Sequence, residues 1–203
     1  MKRSKHCSGR TAAAFLVGFA TIVISFENAW ADWPTYRGDN HRSASSSEKI
    51  NPQLHLQWVF HPRHAPQTAW PLPGEETPRM HSDRAHHVVE SDGSVYFGST
   101  VDNHVYALDS ASGDVRWRFA TSGAIRFAPV VWEGGLYVGS DDGYAYCLDA
   151  KTGALRWKYR PSPADEHVVG MGRMVSLWPL RTGLLVENGV VYLSAGMPRP
   201  DGT

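Results

Sequence analysis

The chain has 203 residues, 42% hydrophobic and 20% charged, with 20 Lys and Arg matched by 20 Asp and Glu. That composition supports one sizeable core and excludes bulk disorder, and the balanced charge argues against a nucleic-acid partner. Two cysteines, Cys7 and Cys147, rule out a disulfide framework.

The first ten residues carry Lys2, Arg3, Lys5 and Arg10, and an apolar run follows from Thr11 to Phe26. Ala29-Trp30-Ala31 then sets small residues where a signal peptidase reads them. Residues 1–31 read as a secretory signal cut after Ala31, which predicts a secreted or periplasmic protein. The alternative is an uncleaved anchor, but the apolar run is about 16 residues where roughly 20 span a bilayer. No other segment is suited to cross a membrane. Cleavage leaves 16 basic against 19 acidic residues, a net charge of −3, with Cys147 as the remaining cysteine. Cys7 precedes the apolar run, where a lipoprotein cysteine does not stand, and the absence of CxxCH excludes covalent haem.

Residues 32–53 are polar and Ser-rich, an N-terminal extension or linker. Residues 54–61 alternate Leu54, Leu56, Trp58 and Phe60 and predict an isolated outer strand. Residues 62–85 hold five prolines and several histidines and predict a long loop.

From residue 86 the sequence repeats. ALDSASGDVRW (107–117) returns forty residues later as CLDAKTGALRW (147–157), and GSVYFGS (93–99) returns as GGLYVGS (134–140). Each copy divides into four short strand-like runs separated by turn residues such as Asp92-Gly93, Gly134-Gly135 and Thr152-Gly153. The copies span 86–126, 127–181 with an inserted loop, and an incomplete 182–203 that begins with GLLVE and NGVVYLSAG. A four-stranded sheet recurring every forty residues cannot bury both faces alone, and radial stacking of blades solves this. The expected fold is all-β: a partial β-propeller of four-stranded antiparallel blades, about two and a half present. QWVF (57–60) aligns with RWRF (116–119) and RWKY (156–159), so the early strand is expected to act as the outer strand of a further blade.

The repeated residues have mechanical roles. Asp109 and Asp149 are expected to accept turn N–H groups, Gly113 and Gly153 to adopt the left-handed conformation beside Thr152, and Trp117 and Trp157 to fill the wedge between neighbouring sheets. The pattern AxDxxTGxxxW resembles that of pyrroloquinoline quinone (PQQ) type propellers over residues 86–196, with Ser112 replacing Thr and Cys147 replacing Ala. The lead-in DWPTYRGDN resembles the start of secreted bacterial members. WD-type propellers share the period but not this pattern.

The resemblance implies that first strands line a channel and that the loops entering them open on the binding face. Two long loops do so, 61–85 and 160–180. Arg126 and Arg181 occupy the same offset in successive copies, where Ala85 stands in the first. They are expected either to converge on an anionic ligand at the channel mouth or to pair with acids such as Asp165 or Glu166 and face solvent. Arg173 and Trp178 join them as ligand-binding candidates by loop position. His55, His61, His64, His81, His86 and His87 crowd one segment without matching a zinc or iron spacing, so no metal site is assigned.

Two functions follow. The favoured one is a non-catalytic binding or scaffold module for protein or glycan, as the resemblance to an outer-membrane assembly lipoprotein with the same repeat implies. The other is a fragment of a PQQ-dependent quinoprotein dehydrogenase, with PQQ and Ca²⁺ implied by resemblance only. No vicinal Cys pair is present, no Asp or Glu matches the family's base, and no catalytic residue is assigned. The ending PRPDGT, after a second strand, predicts that these residues are the N-terminal portion of a longer protein.

Overall fold

Hairpin turns set the architecture. Asp92-Gly93, Glu133-Gly134 and Asn188-Gly189 each place two consecutive residues at positive φ, between 43° and 77°. Such a pair matches the twist of the strands it joins, so each turn launches a tight antiparallel hairpin. The computed structural model describes residues 32–50, 52–67, 85–170 and 172–196. The expected signal segment, most of the 62–85 loop and residues 197–203 lie outside the described residues.

The first blade comprises β1 (Val88–Ser91), β2 (Ser94–Gly98), β3 (His104–Asp109) and β4 (Val115–Ala120), hydrogen-bonded in that order. The second comprises β5 (Val130–Trp132), β6 (Gly135–Gly139), β7 (Ala145–Asp149) and β8 (Leu155–Tyr159), paired in the same order. An inserted hairpin follows, β9 (His167–Gly170) with β10 (Arg173–Ser176). A third unit begins with β11 (Leu185–Glu187) paired to β12 (Val190–Tyr192). All pairings are antiparallel, so the described chain is a partial, unclosed β-propeller. No helix among the described residues is long and apolar enough to cross a membrane.

Strand periodicity decides what lies between blades. Val89, Tyr96, Ala107 and Trp117 are in register across the first blade, with Val105 and Phe119 beside them. They pack with Leu136, Val138, Tyr146 and Leu148 of the second blade into one apolar cluster. The opposite face of the second blade, with Val130, Tyr137, Ala145 and Cys147, packs against Leu180, Leu184 and Val186. Each buried aliphatic side chain contributes about 1.5–3 kcal/mol, so the interblade layers are the core of the molecule.

The repeat motif locks one blade to the next. Gly113 and Gly153 have φ of 78° and 72°, and a Cβ on either would lie 2.6 Å from the ring of Trp58 or Trp117 respectively. The indole of Trp117 donates to Ala150 O at 3.0 Å, and that of Trp58 donates to Ser110 O at 2.9 Å. In each turn the Asp accepts main-chain N–H groups, Ala111 and Ser112 at Asp109 and Thr152 at Asp149.

Two sequence expectations change. Residues 54–60 form no strand; Trp58 and Phe60 take the contacts of an outer strand while their main chain remains outside any sheet. The segment at 57–60 is held on the first blade through side chains, with Gln57 donating to Ala111 O at 2.6 Å. The extension at 32–53, read as a linker, is docked over its first half. Trp33 exchanges two main-chain hydrogen bonds with Glu90, Pro34 O accepts from Val131 N, and Asn40 donates to Val186 O. Those acceptors and donors belong to β1, β5 and β11, so one strap crosses the free inner edges of all three units.

Candidate channel-mouth site

Alternation of direction within each meander puts the loops into two groups. The positive-φ hairpin turns at 92–93, 133–134 and 188–189 and the motif turns lie at one end. The loops 99–103 and 140–144 and the entries to β5 and β11 lie at the other. The site candidates therefore stand at the end opposite the repeat motif.

At this second end the repeat positions build a second lock. Ile125 N donates to Ser99 O, and Leu180 N donates to Ser140 O, both at 3.1 Å. Gly98 and Gly139 make room, since a Cβ there would lie 2.1 Å from Ile125 and 2.9 Å from Leu180. The residue after each of these anchors is an arginine, which is why Arg126 and Arg181 stand at the same place in successive units.

Both arginines meet Asp141. Arg126 Nε donates to Oδ2 at 2.7 Å, while Arg181 donates from Nε to Oδ1 at 2.9 Å and from Nη2 to Oδ2 at 3.1 Å. The side chains are 6%, 10% and 0% exposed for Arg126, Arg181 and Asp141. A carboxylate that deep is tolerated only when charged donors replace its water, and here they do. Asp141 also bonds through its main chain to Ala124 and Ser176, so one residue ties four segments together.

The two arginines converge, but on a protein acid, Asp141, and they are buried with it. Neither Asp165 nor Glu166 takes that role. Asp165 instead pairs with Arg160 at 3.2 Å, and Glu166 accepts Leu177 N through its main-chain oxygen. Arg173, expected on a loop, lies on β10 and reaches back across the first blade. It donates to Thr100 O at 2.9 Å and to Val101 O at 2.8 Å, with Gln67 Oε1 and Asn103 Oδ1 at longer range. Gln67 also accepts from Arg126 through its main chain at 3.2 Å. The half-buried indole of Trp178 lies outside this network, its six-membered ring beside Gly196 and its buried nitrogen without a hydrogen bond among the described residues.

A cavity of about 260 Å³ opens next to the network, lined by Asn103, Ser122, Gly123, Asp141, Arg173 and Met174 among others. Sequence reasoning missed Asp141, Gln67, Asn103 and Ser122. A signal for Asp141 existed: GSDDG in the second copy has an acid at a position where GSTVD has Val101, while Asp102 and Asp142 share a periodic role as acceptors for Tyr106 and Tyr146. Burial first, then that bond to Asp142, pushes the Tyr146 phenol up. At the opposite end, a cavity of about 350 Å³ between the first two blades carries Arg116 and Arg156. Those arginines are held by Asp109 and Asp149.

The donor set can be tested against a quinone cofactor. A planar tricarboxylate needs cationic donors aimed into a slot between flat faces. The three mouth arginines aim at Asp141 and at main-chain carbonyls, and the cavity is smaller than the roughly 300–1,000 Å³ of small-molecule pockets. Asp141 spends both oxygens on guanidinium groups, and no three His, Cys, Asp or Glu among the described residues come together as metal ligands. The described residues do not fit PQQ with Ca²⁺.

Comparison with known proteins agrees with the architecture. No curated protein matches the chain by sequence. Among solved structures, a quinohemoprotein alcohol dehydrogenase from Pseudomonas putida aligns with a TM-score of 0.60 at 19% identity, over 82% of this chain and 23% of that one. The quinohemoprotein alcohol dehydrogenase from Comamonas testosteroni aligns at 0.48 and 22% identity, over 64% and 19%. BamB from Moraxella catarrhalis aligns at 0.36 and 15% identity, over 54% and 42%. The chain thus spans less than a quarter of either dehydrogenase chain, and at 19% identity the likeness to the first is one of fold. The family model described as outer membrane protein assembly factor BamB matches residues 65–176 and 101–197. With the motif locks at both ends of its blades, the chain belongs to that family of PQQ-type β-propeller repeat proteins.

Proposed function

We propose that the chain serves as a non-catalytic binding module, exported to the periplasm or beyond, that takes a protein or glycan on its channel-mouth face. The observation that carries this reading is the use of Arg126, Arg173 and Arg181 as ties: their donors go to Asp141 and to loop carbonyls. What remains on that face is broad and mixed. Asn103 and Ser122 supply neutral polar groups, and the inserted hairpin exposes Val169 and Met174, at 76% and 60%, directly opposite each other across β9 and β10. Exposed apolar groups beside neutral hydrogen-bonding groups suit a macromolecular ligand better than a small anion.

The test has two arms on the purified protein. With PQQ and Ca²⁺ added, no quinone is retained after desalting and no dye is reduced with an alcohol or a sugar. Stoichiometric retention with dye reduction overturns the non-catalytic reading and favours the dehydrogenase fragment. In the second arm, a glycan array and immobilised outer-membrane protein domains are probed with wild type and with Val169→Asp/Met174→Asp. Binding that the double substitution abolishes is expected; binding that it leaves untouched removes the mouth from the proposal.

A further inference from the structure

The cavity of about 350 Å³ at the motif end lies between two complete four-stranded blades, away from the channel mouth. Its volume falls within the roughly 300–1,000 Å³ of small-molecule pockets. Tyr96 of β2 and Val131 of β5 give it an apolar wall. Charged side chains stand around that wall, Asp92 and Arg116 from the first blade, Lys151 and Arg156 from the second.

The two blades differ in which of these charges are already engaged. Arg116 uses all three of its nitrogens, Nε and Nη2 on Asp109 at 3.2 and 2.6 Å and Nη1 on Ser94 Oγ at 2.5 Å. Arg156 uses one, Nη2 on Asp149 at 2.8 Å. The strand register gives the reason. Ser94 stands opposite Asp109, whereas the residue opposite Asp149 is Gly135, which has no hydroxyl to accept from the guanidinium. Lys151 is a second departure from the repeat, since the first copy has Ala111 at that place. Both departures leave cationic donors open on the second blade, and Lys151 makes no hydrogen bond or ion pair among the described residues. On the first blade, Asp92 donates its main-chain N–H to Asp32, while its carboxylate takes no hydrogen bond or ion pair among the described residues. An unpaired ammonium and an unpaired carboxylate therefore line one cavity from opposite blades. A simple anion would meet Asp92 and a simple cation would meet Lys151, but a ligand that carries both charges complements both walls.

We propose that this cavity binds a free α-amino acid with an apolar side chain. Its carboxylate meets Lys151 and the open donors of Arg156, its ammonium meets Asp92, and its side chain lies against Tyr96 and Val131. The site is separate from the channel mouth and does not depend on what the mouth binds.

The experiment is isothermal titration of the purified chain with L-leucine and with its two truncated forms, 4-methylpentanoate, which lacks the ammonium, and 3-methylbutylamine, which lacks the carboxylate. Leucine is expected to bind saturably and at least ~10-fold more tightly than either, because each truncation leaves one charged wall without a partner. Lys151→Ala and Asp92→Asn install residues that other copies of the repeat use at the same places, Ala111 and Asn188, so both turns keep their form. Each is expected to weaken leucine binding at least ~10-fold, whereas Val169→Asp/Met174→Asp at the mouth leaves it unchanged. Absence of leucine binding to the wild-type chain overturns the proposal. So does 4-methylpentanoate binding as tightly as leucine, which assigns the cavity to simple anions, and so does leucine binding that survives both Lys151→Ala and Asp92→Asn.

Discussion

Asp141→Asn should be among the most damaging single-atom changes available in this protein. It keeps the shape of the side chain and one acceptor oxygen but removes the charge that two guanidinium groups share through three hydrogen bonds. Since the carboxylate is fully buried and its partners are at most 10% exposed, water cannot re-enter without opening the loops. Breaking a buried ion pair from one side costs about 3–5 kcal/mol. With a urea slope of about 2 kcal/mol/M, that lowers the unfolding midpoint by about 1.5–2.5 M. Equilibrium unfolding followed by tryptophan fluorescence measures it directly. Asp165→Asn is the control, because the side chains of its pair with Arg160 are 51% and 34% exposed and such solvated pairs contribute about 0–1 kcal/mol. If Asp141→Asn costs less than about 1 kcal/mol, the pair is solvated and the mouth arginines are free to bind a ligand, which reverses the reasoning behind the proposed function.

Hydrogen bonds from Arg116 and Arg156, followed by those from the turn residues Ser112 and Thr152, hold Asp109 and Asp149 down at about 2. Because the folded value lies below the unfolded one, their contribution to stability is complete above the ordinary carboxylate range and is lost as pH falls from about 4 through about 2. Carboxyl-carbon NMR should find both midpoints near 2, with Arg116→Ala returning Asp109 toward about 3.9; an ordinary value in the wild type refutes the turn geometry. Gly98→Ala should cost about 1–3 kcal/mol by driving a methyl into Ile125, whereas Gly172→Ala meets no neighbour and should cost about 1–2 kcal/mol of backbone strain alone. Urea unfolding of the two variants measures this, and a neutral cost for Gly98→Ala would contradict the second lock, in which Ile125 packs against Gly98. Trp58→Ala should cost about 2 kcal/mol, a fall of about 4–8 °C in Tm by calorimetry, and no change would mean that the 57–60 segment is not seated on the first blade.

What repeats was legible, and what interrupts the repeat was not. Asp109, Gly113 and Trp117 recur as Asp149, Gly153 and Trp157 because every blade needs the same turn and the same wedge, so spacing alone reveals them. The equal offset of Arg126 and Arg181 was legible for the same reason. Asp141 occurs once, and its role depends on two loops that approach only after the blades stack. Periodicity therefore could place the arginines together but could not name the acid between them. The strand expected at 54–60 failed differently: the alternation of Leu54, Leu56, Trp58 and Phe60 correctly marked side chains that pack, but alternation cannot tell whether a neighbouring main chain is there to pair with. The lead-in 32–40 was recognisable as a motif but its docking was not, since Trp33 and Pro34 pair through backbone groups that every sequence possesses and Asn40 adds a single side-chain bond.

That strap also carries a constraint on time. Its two ends find their partners far apart in the order of synthesis: Trp33 needs Glu90, whereas Asn40 needs Val186, 146 residues later. Blades can form from local hairpins as they emerge, since their strands are near neighbours in sequence. The leading segment can pair Trp33 as soon as the first blade stands, but its Asn40 bond is made only once the third unit exists. Although it precedes every blade in the chain, the strap is completed last, and its Asn40 bond reports that the third unit has formed.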